Sequence, residues 1–177
     1  MPAPDRIDTE RLVFRRPRAR DARAIFARYA ADPGVTKYLS WPTHRSPADT
    51  RVFLRFSDVE WNRWGVGPFL LESREGELLG STGLSFETRH RAVTGYVLAR
   101  DAWGHGYATE ALQTMVVLAQ SLGVRRLYAL CYAEHAASAH VLEKCGFVRE
   151  GVLRKYGEFP NLTPGEPYDV LCYARVW

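Results

Sequence analysis

Trp103-Gly104-His105-Gly106-Tyr107-Ala108-Thr109-Glu110-Ala111 joins a hydrophobic strand, Tyr96-Val97-Leu98-Ala99, to an amphipathic helix. Ala108, Ala111, Leu112, Met115, Ala119 and Leu122 recur at helical spacing, and Gly123 stops the run as a C′ glycine would. The first N–H groups of such a helix have no partner inside it and sit at the positive end of its dipole. Glycines just before them let the backbone turn tightly and approach a ligand. The segment therefore predicts an anion site of the kind that holds phosphate. Taken alone, Gly-x-Gly fits an ordinary strand-to-helix connection equally well. No Gly-Lys-Ser or Gly-Lys-Thr follows, which argues against a nucleotide P-loop. No acidic residue ends a second strand about twenty residues on, as a dinucleotide fold would want; the chain there reads Leu127-Tyr128-Ala129-Leu130-Cys131-Tyr132.

A second segment tips the balance. The strand Leu127–Tyr132 leads into Ala133-Glu134-His135-Ala136-Ala137-Ser138-Ala139-His140-Val141-Leu142-Glu143-Lys144-Cys145-Gly146-Phe147, a short helix with a glycine stop before another strand. Together these runs resemble the GNAT superfamily of acyl-CoA-dependent N-acetyltransferases. Gly104 to Ala111 looks like the family's pyrophosphate loop, and Ser138 to Phe147 like its C-terminal signature, Glu-Lys-x-Gly-Phe. Thr9-Glu10-Arg11-Leu12-Val13-Phe14-Arg15-Arg16-Pro17 resembles the opening of the branch that holds the ribosomal-protein N-terminal alanine acetyltransferases. The resemblance covers nearly the whole chain and is specific for the superfamily, not for a substrate.

With 177 residues the chain is expected to form one domain over 1–177. Its hydrophobic fraction of 46% suits a globular core, and no run of about 18 apolar residues predicts a membrane span. Met1 to Asp8 is polar and lacks the apolar centre of a signal peptide. Cys131, Cys145 and Cys172 share no metal-ligand spacing, so no metal is expected and each reads as a small core residue. These features place the chain in a reducing cytoplasm. A net charge of +4 suits a polyanionic coenzyme. The one dense basic group, Arg15 to Arg23, reads chiefly as a solvated face, and no nucleic-acid-binding pattern accompanies it.

Local patterns predict a strand at Arg11–Arg16 and a helix from Asp21 ended by Asp32-Pro33-Gly34. A second helix, capped by Ser46 with Pro47 at its first position, runs to about Trp64. Antiparallel strands Val66–Ser73 and Leu78–Phe86 surround a turn at Arg74-Glu75-Gly76. Late strands Phe147–Lys155 and Asp169–Val176 flank a proline-rich loop. That order is the family's. The expected fold class is α/β (α+β), with a mixed, centrally splayed sheet of about six or seven strands flanked by about four helices.

The resemblance implies an acetyl group moved from acetyl-CoA to a primary amine by direct attack in a ternary complex. Backbone N–H groups of Trp103, Gly104, His105, Gly106, Tyr107, Ala108 and Thr109 would hold the pyrophosphate. His105 would add a donor or is simply an exposed loop residue. Asp101 stands where the family often has Gln or Arg. Pantetheine would pair along the splayed strands, with an N–H near Leu98 or Ala99 facing the developing oxyanion. The Glu that many relatives use as base is absent, since Ala92-Val93-Thr94 occupies that region. Glu87, Glu72 and His135 are the substitutes; the two glutamates read chiefly as solvated strand-edge charges. His135 replaces the usual Asn, and would contact pantetheine, relay a proton or cap its helix. Leu142 stands where many members have a Tyr acid. Ser138 would then donate to the departing thiolate, or cap its helix, or hydrogen-bond the coenzyme.

The acceptor is open between a protein N-terminus and a small-molecule amine. Trp41, Trp64 and Phe69, with Trp61 nearby and Phe159 from the late loop, are candidate walls of its pocket, or core residues. Asp58 and Glu60 are candidate attractors for a cationic amine. A non-catalytic acyl-CoA-binding or sensing domain is the alternative, favoured by the absent Glu, Tyr and Asn. Val170–Val176 is apolar enough to pair in a homodimer.

Overall fold

The computed structural model describes residues 2–177, so Met1 at the head of the polar opening lies outside the described residues. Eight strands occur among them: β1 Arg6–Asp8, β2 Leu12–Arg15, β3 Pro68–Ser73, β4 Leu78–Thr88, β5 Arg91–Leu98, β6 Arg126–Tyr132, β7 Val148–Glu158 and β8 Pro167–Val176. They form one sheet in the order β1-β2-β3-β4-β5-β6-β8-β7. Only the β5–β6 pair is parallel. The helices are α1 Ala22–Ile25, which runs on into a π turn at Phe26–Ala30, α2 Pro33–Thr36, α3 Pro47–Trp64, α4 Tyr107–Ser121 and α5 Ala136–Lys144.

The sheet has more strands than the pattern predicts because β1, Arg6-Ile7-Asp8, carries a single apolar residue and gives no strand signal. The fifth helix comes from Asp32-Pro33-Gly34. That triplet does not merely end the first helix; it starts α2. The Asp32 carboxylate accepts from the N–H of Gly34 at 2.8 Å and Val35 at 3.4 Å, with proline at the first helical position. The same chemistry opens α3, where Ser46 and Asp49 form the capping box and Pro47 follows.

Helices cover both faces of the sheet. On one, Phe14, Phe69, Leu71, Leu84 and Leu98 pack against Leu112, Met115 and Ala119 of α4. On the other, Leu70 and Ala99 pack against Ile25, Tyr29 and Leu54. Strand β3 is buried on both sides, which explains its unbroken run Phe69-Leu70-Leu71 in place of an alternating pattern.

The feature that positions the site lies between β5 and β6. They pair only at Arg91–Arg126, Ala92–Leu127 and Val93–Tyr128, then separate. Beyond that point β5 stays on β4, aided by two cross-strand side-chain bonds: Thr82 Oγ1 to the Gly95 carbonyl and Thr94 Oγ1 to the Gly83 carbonyl, each 2.8 Å. Strand β6 stays on β8 through Tyr132–Val170. A wedge-shaped gap opens in the middle of the sheet.

Candidate active site

Strand β5, which borders the gap, runs on to the glycine loop. Gly104 and Gly106 have φ of 76° and 79°, the left-handed region where a side chain is strained. Gly106 is also the N-cap of α4, so no side chain covers the start of that helix. Among the described residues, the N–H groups of Gly104 through Thr109 donate to no protein acceptor, while Glu110 N–H already bonds the Gly106 carbonyl. Six donors therefore cluster at the positive end of a fifteen-residue helix.

A clamp from the other end of the chain sets this loop. Arg11 donates to the His105 carbonyl at 2.7 Å and to the Glu110 carboxylate at 2.7 Å. Thr9 Oγ1 donates to the other Glu110 oxygen at 2.7 Å, and the Arg11 guanidinium lies 5.0 Å from the centre of the Tyr107 ring. The Thr9-Glu10-Arg11 opening and Glu110, about a hundred residues apart, are one unit. Periodicity carries no trace of it. Asp101 is turned away into a pair with Arg28 at 2.8 Å, and Arg100 is paired with Asp32. Trp103 is half exposed and donates its indole N–H to the Leu98 carbonyl at 2.9 Å. His105 is exposed and stacks on Tyr107.

A cavity of about 510 Å³ fills the gap and passes from one face of the sheet to the other. Tyr96 and Thr94 of β5, Cys131 of β6 and Ser138 of α5 line the side toward α4; Trp41, Val97 and Phe159 line the opposite side. His135, at the N-terminus of α5, lines it too and stacks 4.6 Å from the Tyr38 ring. Burial holds the His135 imidazole below its ordinary value, so it is neutral near pH 7. Burial raises the Tyr96 phenol, an effect that the Ser138 hydroxyl acts against. Burial likewise raises the Cys131 thiol, to about 11, which keeps it protonated and a poor nucleophile.

The backbone of β5 separates Leu98 from Ala99. Ala99 N–H is bonded to the Leu79 carbonyl at 2.8 Å, so it does not face the gap. Donors alternate along a strand, which turns the Leu98 N–H away from β4 and toward the opening.

Several expected site residues are not brought together. Glu87 is exposed, pairs with Arg91 and accepts from the Tyr128 hydroxyl at 2.6 Å. The Tyr128 bond, with Arg91, holds its carboxyl below the usual range, the reverse of what a general base at neutral pH needs. Glu72 is bound to Arg15 at 2.7 Å within a cluster that includes Asp21. Neither lines the cavity. Phe69 is fully buried between Phe14 and Trp61 as core, and Trp64 stacks on Phe86 away from the cavity. Glu60 accepts from Ser85 at 2.6 Å, and Asp58 faces Arg16. Val170–Val176 lies in β8, whose two edges are already paired with β6 and β7, so no strand of a second copy can add there. Tyr96 and Cys131 are among the lining residues that the motifs missed. Alternation along β5 and β6 puts them on the α4 face, but only the gap exposes them.

Among the described residues, no cluster of His, Cys, Asp and Glu is arranged to hold a metal ion, and no helix is long and apolar enough to cross a membrane.

A splayed sheet with an open N-terminal turn at α4 is the architecture of GNAT acetyltransferases. The family model described as an acetyltransferase (GNAT) domain matches residues 11–148, and the chain belongs to that family. It is 32% identical to the uncharacterized N-acetyltransferase YoaA of Bacillus subtilis (strain 168), covering 96% of each chain. A GNAT-family acetyltransferase structure from Bacillus anthracis superposes with a TM-score of 0.81 at 28% identity, over 97% of this chain and 98% of that one. The microcin C7 self-immunity acetyltransferase MccE, solved with acetyl-CoA and AMP, shares the fold with a TM-score of 0.87 at 20% identity, over 99% and 98%.

Proposed function

We infer that this protein transfers an acetyl group from acetyl-CoA to a primary amine. The carrying observation is the pairing of two features along α4: six unpartnered N–H groups at its start, and a through-sheet cavity that Leu112, further along the same helix, helps to line. The acetyl-CoA complex of MccE supports the same ligand for this fold. The loop fits a pyrophosphate, and the free inner edges of β5 and β6 fit an extended amide-bearing arm that hydrogen-bonds like a strand.

When bound, acetyl-CoA supplies the acyl group as a thioester. The chain's part is to orient it and to move protons. Leu98 N–H faces the gap and stabilises negative charge developing on the carbonyl oxygen. An amine arrives largely protonated, with a pKa near ~8 for a peptide terminus and ~10.4 for a lysine-type amine. His135 is the neutral base in the cavity that takes that proton, directly or through one water. Tyr96 keeps its phenolic proton at neutral pH and, with Ser138 beside it, returns a proton to the departing thiolate. Glu87 and Glu72 have no part, being bound to arginines outside the cavity.

Calorimetric titration with acetyl-CoA tests the binding half, and a free-thiol assay with amines tests transfer. Gly106→Pro is expected to abolish binding, because proline cannot adopt a φ of 79°. Unchanged affinity would remove the loop from the reading. Tight binding with no thiol release across peptide N-termini and small amines would identify an acyl-CoA sensor.

A further inference from the structure

A second cavity, of about 690 Å³, adjoins the first: Trp41, Phe53, Ser81 and Val97 line both. Its outer wall is apolar. Val52 and Phe56 of α3 line it and stand 56% and 47% exposed, although apolar side chains on a helix ordinarily turn into the core. Its floor holds a buried polar group. Tyr29 is 2% exposed, and the Ser81 hydroxyl, which lines both cavities, stands beside its own.

The charges at this cavity do not suit a polycation. His44 lines it, bonded to Thr50 Oγ1 at 2.8 Å, and burial keeps its imidazole neutral. The Asp49 carboxylate is taken up by the N–H groups of Arg45 and Ser46 at 2.8 and 3.1 Å, capping α3. Arg45 itself adds a cation to the lining. The first cavity has one lining carboxylate, Glu158, on an exposed residue of β7.

We propose that the second cavity seats the acceptor, and that the acceptor is a singly charged primary amine bearing a bulky apolar group, aromatic or branched aliphatic. The proposal rests on the acetyl-transfer reading of the adjoining gap. Its apolar group lies against Val52, Phe53 and Phe56, and its nitrogen reaches through the shared wall at Trp41 and Val97 toward His135. A small arylalkyl amine and a peptide with an apolar first residue present the same chemistry, whereas a polyamine does not.

The test uses the full chain with acetyl-CoA and matched acceptors: phenethylamine against ethylamine, a Phe-led peptide against a Gly-led peptide, and spermine. Burial of one aromatic group predicts that kcat/KM favours the apolar member of at least one pair by about tenfold or more. The pair that shows it separates the small-molecule source from the peptide source. Phe56→Asp is expected to reduce that preference to within about threefold. Val52→Asp does the same if Phe56→Asp lowers the melting temperature. Equal rates within both pairs, or a preference for spermine, would overturn the proposal. Calorimetry of phenethylamine against the coenzyme A-loaded protein gives a readout independent of turnover. Binding that Phe56→Asp weakens supports the cavity's ligand class even where no thiol is released, an outcome that would overturn only the transfer reading. No binding and no preference would overturn the ligand class.

Discussion

Replacing Arg11 by alanine removes the guanidinium that ties the glycine loop to β2. Four contacts disappear: the bond to the His105 carbonyl and the two-nitrogen contact with Glu110, all at 2.7 Å, and the approach of the guanidinium to the Tyr107 ring at 5.0 Å. Hydrogen bonds to charged groups contribute about 1.5–3 kcal/mol when water is excluded. The Arg11 side chain is 44% exposed, so solvent screening reduces the set to about 1–2 kcal/mol in total. Glu110 is not orphaned, because Thr9 Oγ1 and the backbone N–H of residue 11 still bond it. The fold should survive with a melting temperature lower by about 2–5 °C. The loop, released at His105, must then be ordered by the ligand, so acetyl-CoA affinity should fall about 3–10-fold by calorimetry. The same network sets a pH signature. Glu110 titrates below its ordinary value despite its burial, which opposes that shift, because Thr9 and the Arg11 N–H and guanidinium bond it. That stabilisation is present above the unfolded pKa of about 4.3 and is lost as pH falls through the lower folded value, so the variant's deficit should shrink in acid. An Arg11→Ala protein that loses melting temperature but binds acetyl-CoA within twofold of the parent would refute the clamp, leaving Gly104 and Gly106 alone to shape the loop.

Tyr96→Phe removes the phenolic proton but keeps the ring; kcat should fall about 10–100-fold with acetyl-CoA affinity unchanged, and a normal kcat would return the proton step to Ser138 or to water. His135→Gln should abolish the acid limb of kcat/KM, which lies below the ordinary imidazole value because burial lowers the pKa; an unaltered pH profile would place the base elsewhere. Burying a neutral His135 also costs folding stability only in acid, with the loss growing as pH falls from the unfolded value toward the lower folded one. Glu87→Gln should leave the pH profile of kcat/KM in place, since that carboxylate is bound to Tyr128 and Arg91; a flattened profile would restore it as the base. Phe69→Ala, fully buried against Phe14 and Trp61, should destabilise the protein by about 3–5 kcal/mol in denaturant unfolding, and a loss below 1 kcal/mol would contradict its placement in the core.

Chain-local signals were enough to find the strand–loop–helix at Trp103–Ala111, the second motif through Phe147 and the Ser46–Pro47 helix start. In each, the residues act on their own neighbours: apolar side chains at a fixed period, a hydroxyl capping the next turn, a glycine where φ is positive. The same locality explains the misreading of Asp32-Pro33-Gly34, since a proline after a helix and a proline opening one look alike without knowing where Asp32 directs its carboxylate. Glu72 reads as a free carboxylate because Arg15, which binds it, lies 57 residues away; Glu87 has Arg91 close in sequence, but Tyr128, which also binds it, lies 41 residues away. Tyr96 and Cys131 read as ordinary strand residues because nothing in either strand shows that β5 and β6 part after Val93 and Tyr128. Sequence determined most of the elements, the family and the anion-holding turn, all set by contacts within a few residues. Tertiary structure decided which side chains face the reaction and which carboxylates are already occupied, because that depends on a gap between two strands and on ion pairs closed across the whole chain.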